Sequence, residues 1–479
     1  MALPIEAQLK KIEEHKKRDS LIYSVLDGSA FAVMAGFGEN YLNAFPIELG
    51  ATNQQMGLFT SLPQLIGSGS QVLSATLVES FKKRRTLIVV AAFLQALTWI
   101  PLMLIPFIPK HLRLASALLS IVLYFVFGNV LSPAWNSLIG DLVPAESRGA
   151  FFGRRNKVTG CITFLSVFAA GLVLNFFQQE NILFGFSFIF SVALLARFVS
   201  LCFLAKMVEM PYSYLTQKKL RFFHFLRMLN STNAGLFILY LCLMNFSVQI
   251  AGPFFSVFML RDQQFSYFEF MLVNVVAIIA QFLTMTYWGT SADYYGNKKI
   301  IMITGLLLPI VPWLWLPSHN VVYLMAIQVV SGFAWAGFNL ASVNFIFDNT
   351  LPAERINYFA YYNVLNGFSV FAGASLGGFL ATHITSQWIF ASPLQFLFLI
   401  SGLSRAIISF IFLPRIREVR SVHLAQIKEL FWNLVAVRPI YEMCYELVLW
   451  MNRLEQMKKK IEVAVEEKIN HVGQKLKRR

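Results

Sequence analysis

Four ionisable side chains stand where a water-soluble protein would not keep them. Asp27, Glu39, Arg197 and Arg405 each fall inside a long apolar run of the 479-residue sequence. An ionised group in such a run is costly and usually faces protein or water, so each is a candidate for chemistry. Asp27 lies six residues into its run and Arg197 nine residues before Lys206. At the rise of a helix these are about 9 Å and about 13 Å from one face. The depths suit an Asp27–Arg197 pair within the membrane, and separate snorkelling of each charge is the competing reading. Glu39, in Gly36-Phe37-Gly38-Glu39-Asn40-Tyr41, sits nearer the opposite face. A carboxyl group there could carry a proton between two aqueous phases, or simply hydrogen-bond Asn43. Asp27 is the second proton-coupling candidate. Arg405 finds no acid at its depth and is left with backbone carbonyls or the amides of Asn245 and Gln249. No metal spacing joins the seven His and four Cys, and no Gly-x-x-x-x-Gly-Lys loop is present. Inert thiols, no cofactor, no metal, no direct use of ATP and no enzymatic reaction are therefore expected.

The elements that must hold these charges follow from composition. Hydrophobic residues make up 57% of the chain and charged residues 14%, against about 25% charged in a soluble protein. That excludes an ordinary soluble enzyme and a disordered chain. The net charge of +15 lies between apolar runs, which points to loops held against anionic lipid rather than to nucleic acid. Apolar runs long enough to cross a bilayer recur at 21–46, 54–78, 86–107, 114–139, 157–178, 184–206, 235–258, 268–290, 297–317, 321–347, 357–382 and 392–413. The first is too long for a signal-peptide core and is read as a retained span.

Twelve spans with both termini cytoplasmic leave only Lys110, Arg113 and Arg261 outside, as the positive-inside rule asks. The organisation is then a cytoplasmic segment 1–20, a six-helix bundle 21–206, a central loop 207–234, a second six-helix bundle 235–413 and a basic tail 414–479. Tyr441, Tyr445, Val448 and Met451 give that tail an amphipathic helical stretch within 440–465.

The halves repeat. Asp141-Leu-Val-Pro144-Ala-Glu-Ser-Arg148 answers Asp348-Asn-Thr-Leu-Pro352-Ala-Glu-Arg355, and Pro144/Pro352, Asn136/Asn344 and Arg197/Arg405 all stand 208 apart. A string of matches at one offset means duplication into parallel repeats. A second signal follows spans 2 and 8. Gly289-xxx-Asp293-xx-Gly296-x-Lys298-Lys299 has a looser copy in Glu79-xxxx-Arg84-Arg85.

This loop, the repeat and the six-plus-six plan resemble the major facilitator superfamily over residues 21 to about 413. The first copy departs from the family pattern, with Glu79 for Asp and Lys82 for the second Gly. The expected fold is an all-α integral membrane protein with twelve helices in two parallel six-helix repeats and a cytoplasmic helical tail. The acid of each loop is expected to latch the cytoplasmic side through a helix N-terminus or a basic side chain of the other bundle. The resemblance implies a cavity lined by spans 1, 4, 7 and 10. Its candidate residues are Trp135, Asn136, Asn245, Gln249, Trp335, Asn339, Asn344 and Tyr361. Amides and rings suit a neutral or zwitterionic organic solute.

The implied function is a secondary transporter working by alternating access, with a small organic solute, a proton and membrane lipids as partners, no nucleic acid, and a monomeric state. The implied place is a bacterial cytoplasmic membrane. Two runs that typify drug exporters of this superfamily, Arg-xx-Gln-Gly and Gly-xxx-Gly-Pro-xx-Gly-Gly, are missing, which counts against that class. A non-transporting sensor or scaffold acting through its tail, and a lipid-translocating variant, are the alternatives.

Overall fold

The computed structural model describes residues 5–71, 73–81, 83–143, 148–209, 222–350, 355–384 and 392–419. The amphipathic stretch expected in the tail, most of the central loop, Pro144, Pro352 and the side chain of Glu79 lie outside the described residues.

The described residues form helices and connecting turns. In the first half these are α1 (Ile5–Phe37), α2 (Phe45–Glu48), α3 (Asn53–Ser70), α4 (Leu73–Phe81), α5 (Arg84–Leu97), α6 (Trp99–Met103), α7 (Lys110–Leu142), α8 (Arg148–Phe177) and α9 (Ile182–Lys206). In the second they are α10 (Phe222–Met228), α11 (Asn233–Val257), α12 (Tyr267–Tyr295), α13 (Asn297–Leu307), α14 (Ile310–Leu314), α15 (Val321–Asp348), α16 (Arg355–His383) and α17 (Pro393–Phe412). Eleven helical segments among the described residues are long and apolar enough to cross a membrane. The expected span 2 is not among those eleven: α3 has the length but carries Asn53, Gln54, Gln55 and Gln64, which lower its hydropathy. Spans 3 and 9 are each continued by a short helix, α6 and α14. The first expected span is also revised. Its helix begins at Ile5 and stops at Phe37, so Glu39 belongs to a separate one-turn 3₁₀ helix, Glu39–Tyr41.

Of the long helices that start at the end away from Ile5 and Val419, the termini of the described chain, all but α7, which follows Pro109, are capped by polar side chains. Thr52 and Gln55, Ser266 and Glu269, and Ser392 and Gln395 form reciprocal capping boxes on α3, α12 and α17. Asn181 and Asn320 cap α9 and α15. These caps satisfy backbone N–H groups that have no partner within the helix, and so fix where each helix can begin. Gly296, between α12 and α13, has φ +91°, a conformation that costs little only without a Cβ.

The halves meet along two seams, α3 with α16 and α8 with α12. Glycines make the seams close. A Cβ on Gly57 would meet the Ala374 carbonyl oxygen at 2.7 Å, one on Gly171 would meet Met271 at 2.7 Å, and one on Gly367 would overlap Ser68. The apolar packing is unequal between the two ends. At the end away from the termini a single cluster runs through both halves, with Tyr41, Phe45, Trp99 and Phe190 against Phe254, Phe258, Tyr267 and Phe270. Toward the termini each half has its own cluster, around Leu87, Leu138 and Leu204 in the first and around Phe237, Trp288 and Phe345 in the second. Among the described residues the two halves thus share an apolar core at one end only.

Candidate functional site

The first half encloses a cavity of about 380 Å³ lined by Asp27, Glu39, Gln95, Tyr124, Asn129, Trp135, Arg155 and Arg197. Asp27 and Arg197 are 4% and 2% exposed. They are not a direct ion pair. The Ser200 hydroxyl donates to Asp27 Oδ1 at 2.6 Å and accepts from Arg197 Nη1 at 2.7 Å. The hydroxyl stands between the two charges because Ser200 is one helical turn beyond Arg197 on α9, on the same face. Arg197 also lies over the Phe31 ring, 5.2 Å from its centre.

Arg155 of α8 stacks on Trp135 of α7 at 4.6 Å, and its Nε donates to the Ser24 carbonyl at 3.3 Å. It reaches α1 because Gly28 leaves room, where a Cβ would meet Arg155 Nη2 at 2.7 Å. Glu39 does not bond Asn43. The Tyr124 hydroxyl donates to Glu39 Oε2 at 2.8 Å, and Gln95 Nε2 donates to the Tyr124 carbonyl at 3.2 Å.

A second cavity of about 670 Å³ lies between the halves. It takes Glu39, Asn43, Thr60 and Gln64 from the first and Gln249, Ser256 and Asn274 from the second. Phe31, Glu39 and Phe125 line both cavities. Glu39 therefore stands where the two spaces adjoin.

The other residues singled out in the sequence are dispersed. Asn136 is exposed and its amide is 3.5 Å from the Ser132 hydroxyl on its own helix. Asn245 donates to Asn366 at 2.6 Å, a bond that ties α11 to α16. Trp335 packs edge-on against Phe338, and Tyr361 against Phe222 and Phe225. Asn339 is exposed and Asn344 half-buried. Neither cavity takes any of Trp335, Asn339, Asn344 and Tyr361. Arg405, 2% exposed, donates to Ser401 Oγ and to the Leu308 carbonyl, each at 3.1 Å. The repeat of Arg197 is thus held by neutral groups in the second half.

The basic loops grip the halves from within. Arg84, 1% exposed, bonds Asp141 at 2.6 Å and Glu209 at 3.3 Å, and Glu209 also accepts from the backbone N–H of Arg85 at 2.6 Å. In the second half Asn297 donates to Asp348 at 2.7 Å, and Glu418 accepts from the backbone N–H of Lys298 at 2.8 Å. Glu209 and Glu418 thus sit at the N-termini of α5 and α13, where the orphan N–H groups and the dipole favour a carboxylate, while Asp141 and Asp348 reach the same turns from the ends of α7 and α15. Asp293 is exposed on the last turn of α12, and Gly289 is on the preceding one.

Sequence reasoning missed Arg155, Tyr124, Gln95 and Ser200. Arg155 was hidden in a basic run that reads as a positive-inside anchor. The other three are neutral, and nothing in their spacing marks them.

Residues 236–454 match the family model described as Major Facilitator Superfamily. The chain is 25% identical to the quinolone resistance protein NorA of Staphylococcus aureus (strain MRSA252) over 152 residues, 31% of this chain and 39% of that protein. The matches span between 22% and 39% of the length of the curated relatives. Among solved structures, the fold is similar to that of a D-xylose-proton symporter (TM-score 0.65, 14% identity, 85% of this chain and 99% of that one). It is also similar to the nucleoside transporter NupG (TM-score 0.61, 15% identity, 83% and 98%). Helices, repeat and matches define a multi-pass membrane protein with the major facilitator fold. Its second half, which carries the loop at residues 289–299, is the part that resembles the superfamily in sequence.

Proposed function

We propose that this protein is a secondary transporter that moves a small organic solute by alternating access, with Glu39 as the first candidate to carry a coupled proton and Asp27 the second. The carrying observation is the placement of Glu39, a carboxyl group where a cavity inside one half adjoins a cavity between the halves. A solute site at the boundary of two rigid bodies is what a rocking mechanism requires. The one-ended shared core supports the same reading, since the halves could separate there while closing at the other end.

In this reading Arg84, Arg85, Asp293, Lys298 and Lys299 govern closure at the end bearing the termini. Both termini face the cytoplasm of a bacterial cell, and a single chain suffices. Relatives named for quinolone resistance, D-xylose with protons, and nucleosides span chemistries too different to name the solute. The test is thermal-shift screening of the full chain against sugars, nucleosides, amino acids, peptides and drugs at two pH values, followed by counterflow in proteoliposomes. A solute that stabilises the protein and exchanges across the bilayer, with proton coupling lost in Glu39→Gln, is the expected result. A well-folded chain that exchanges none of them would refute the proposal.

A further inference from the structure

We infer that the cavity inside the first half is a binding site for a small organic monocarboxylate, with Arg155 as the residue that receives its charged end. This rests on the transporter reading only for its physiological purpose; the binding itself stands on the geometry of one half.

The cavity holds two carboxyl and two guanidinium groups, and three of the four are engaged. Asp27 and Arg197 share Ser200, and Glu39 takes the Tyr124 hydroxyl. Arg155 differs. Among the described residues no carboxylate lies within 4 Å of it. It is held by one backbone carbonyl and the face of Trp135. A guanidinium that spends one N–H on a carbonyl and sits over a ring face keeps further N–H donors, and such donors suit a carboxylate.

The uncommitted polar atoms around it agree. Arg197 Nε and Trp135 Nε1 are buried donors with no hydrogen-bond partner, and Gln95 Oε1 is a buried acceptor with none. Gln95 and Arg197 are each 2% exposed and line the cavity. Native interiors seldom leave such groups unpaired, because each costs its full desolvation. Unpaired donors on residues that line the same cavity as Arg155 suit an oxygen acceptor, and the unpaired acceptor suits a ligand donor. The remaining walls, Phe31, Phe125, Leu131 and Leu204, would pack an aliphatic or aromatic body. The volume of about 380 Å³ falls within the usual range for small-molecule sites.

The experiment is calorimetric titration of the full chain in detergent with propionate, hexanoate, benzoate and phenylacetate, each beside its neutral amide. At least one acid should bind, and its amide should bind at least about tenfold more weakly. Arg155→Gln should weaken that acid by about 10–100-fold, with Arg155→Lys between it and the parent. Trp135→Phe, which keeps a ring and removes the N–H, gives a second route should Arg155→Gln not fold. It should weaken binding several-fold. The inference is overturned if no acid binds, if acids and amides bind alike, or if both Arg155→Gln and Trp135→Phe bind as the parent does. Exchange of an uncharged solute without acid binding would remove this inference and leave the transporter. Acid binding with no exchange in proteoliposomes would do the reverse.

Discussion

The Tyr124 hydroxyl donates a 2.8 Å hydrogen bond to Glu39 Oε2, linking α7 to the 3₁₀ turn that follows α1. Tyr124 is 3% exposed and also packs on Trp99, 5.0 Å between ring centres. A phenol committed to a carboxyl group at the junction of two cavities makes that turn part of the site rather than a connector.

Tyr124→Phe removes the donor and leaves Glu39 dependent on water. It should cost about 1–3 kcal/mol of stability, measured by denaturant unfolding in detergent. Glu39→Gln keeps an acceptor and should cost less. The double variant should fall short of the sum of the singles by about 1 kcal/mol or more, and additivity would mean the bond is energetically idle.

Ser200 mediates between two buried charges, so Ser200→Ala should destabilise by about 1–3 kcal/mol although it removes one oxygen. Asp27→Asn, which leaves Arg197 uncompensated, should cost on the order of 3 kcal/mol. Asp27→Asn combined with Arg197→Met should recover part of that loss. A double variant worse than either single would contradict the bridged arrangement.

Gly367 and Ser68 touch across the seam between α16 and α3. Gly367→Ala should push these helices apart and shift the balance between the two ends of the molecule. The rate of labelling of a cysteine placed at Ala381, 5% exposed on the seam where Asn53 donates to its carbonyl, reads this shift. Ser68→Gly in the same chain removes the obstructing side chain and should restore the original rate.

Tyr267 joins the halves at the end away from the termini, donating to Glu48 at 2.8 Å while its backbone N–H donates to Gln178 at 3.0 Å. Tyr267→Phe deletes the first bond alone. Labelling at Ala381→Cys should rise by about threefold to tenfold, as expected from losing about 1 kcal/mol of cross-half contact. An unchanged rate would show that the apolar cluster holds this end without it.

Arg197, Glu39 and the loop at 289–299 were legible because their types contradict their surroundings. A charge in an apolar run, or a Gly-acid-Gly-Lys-Lys pattern between two such runs, is conspicuous in one dimension. Gly296 illustrates it, since its positive φ is a local requirement and glycine answers locally. The span boundaries were less legible. Nothing in the apolar run from 21 to 46 announces that helix ends at Phe37 and that Glu39 sits in a tighter turn.

The membrane class, the repeat between the halves and the charges lying within apolar runs could be read in one dimension, because hydropathy and repeat offset act along the chain. Who partners whom came from packing in three dimensions. It placed Ser200 between Asp27 and Arg197, gave Glu39 to Tyr124 rather than Asn43, and brought Arg155 over Trp135 beside Gly28. The reason is geometric. A hydrogen bond is decided within a few tenths of an ångström, and the azimuth and crossing of packed helices, which set that distance, leave no periodic mark on any one of them.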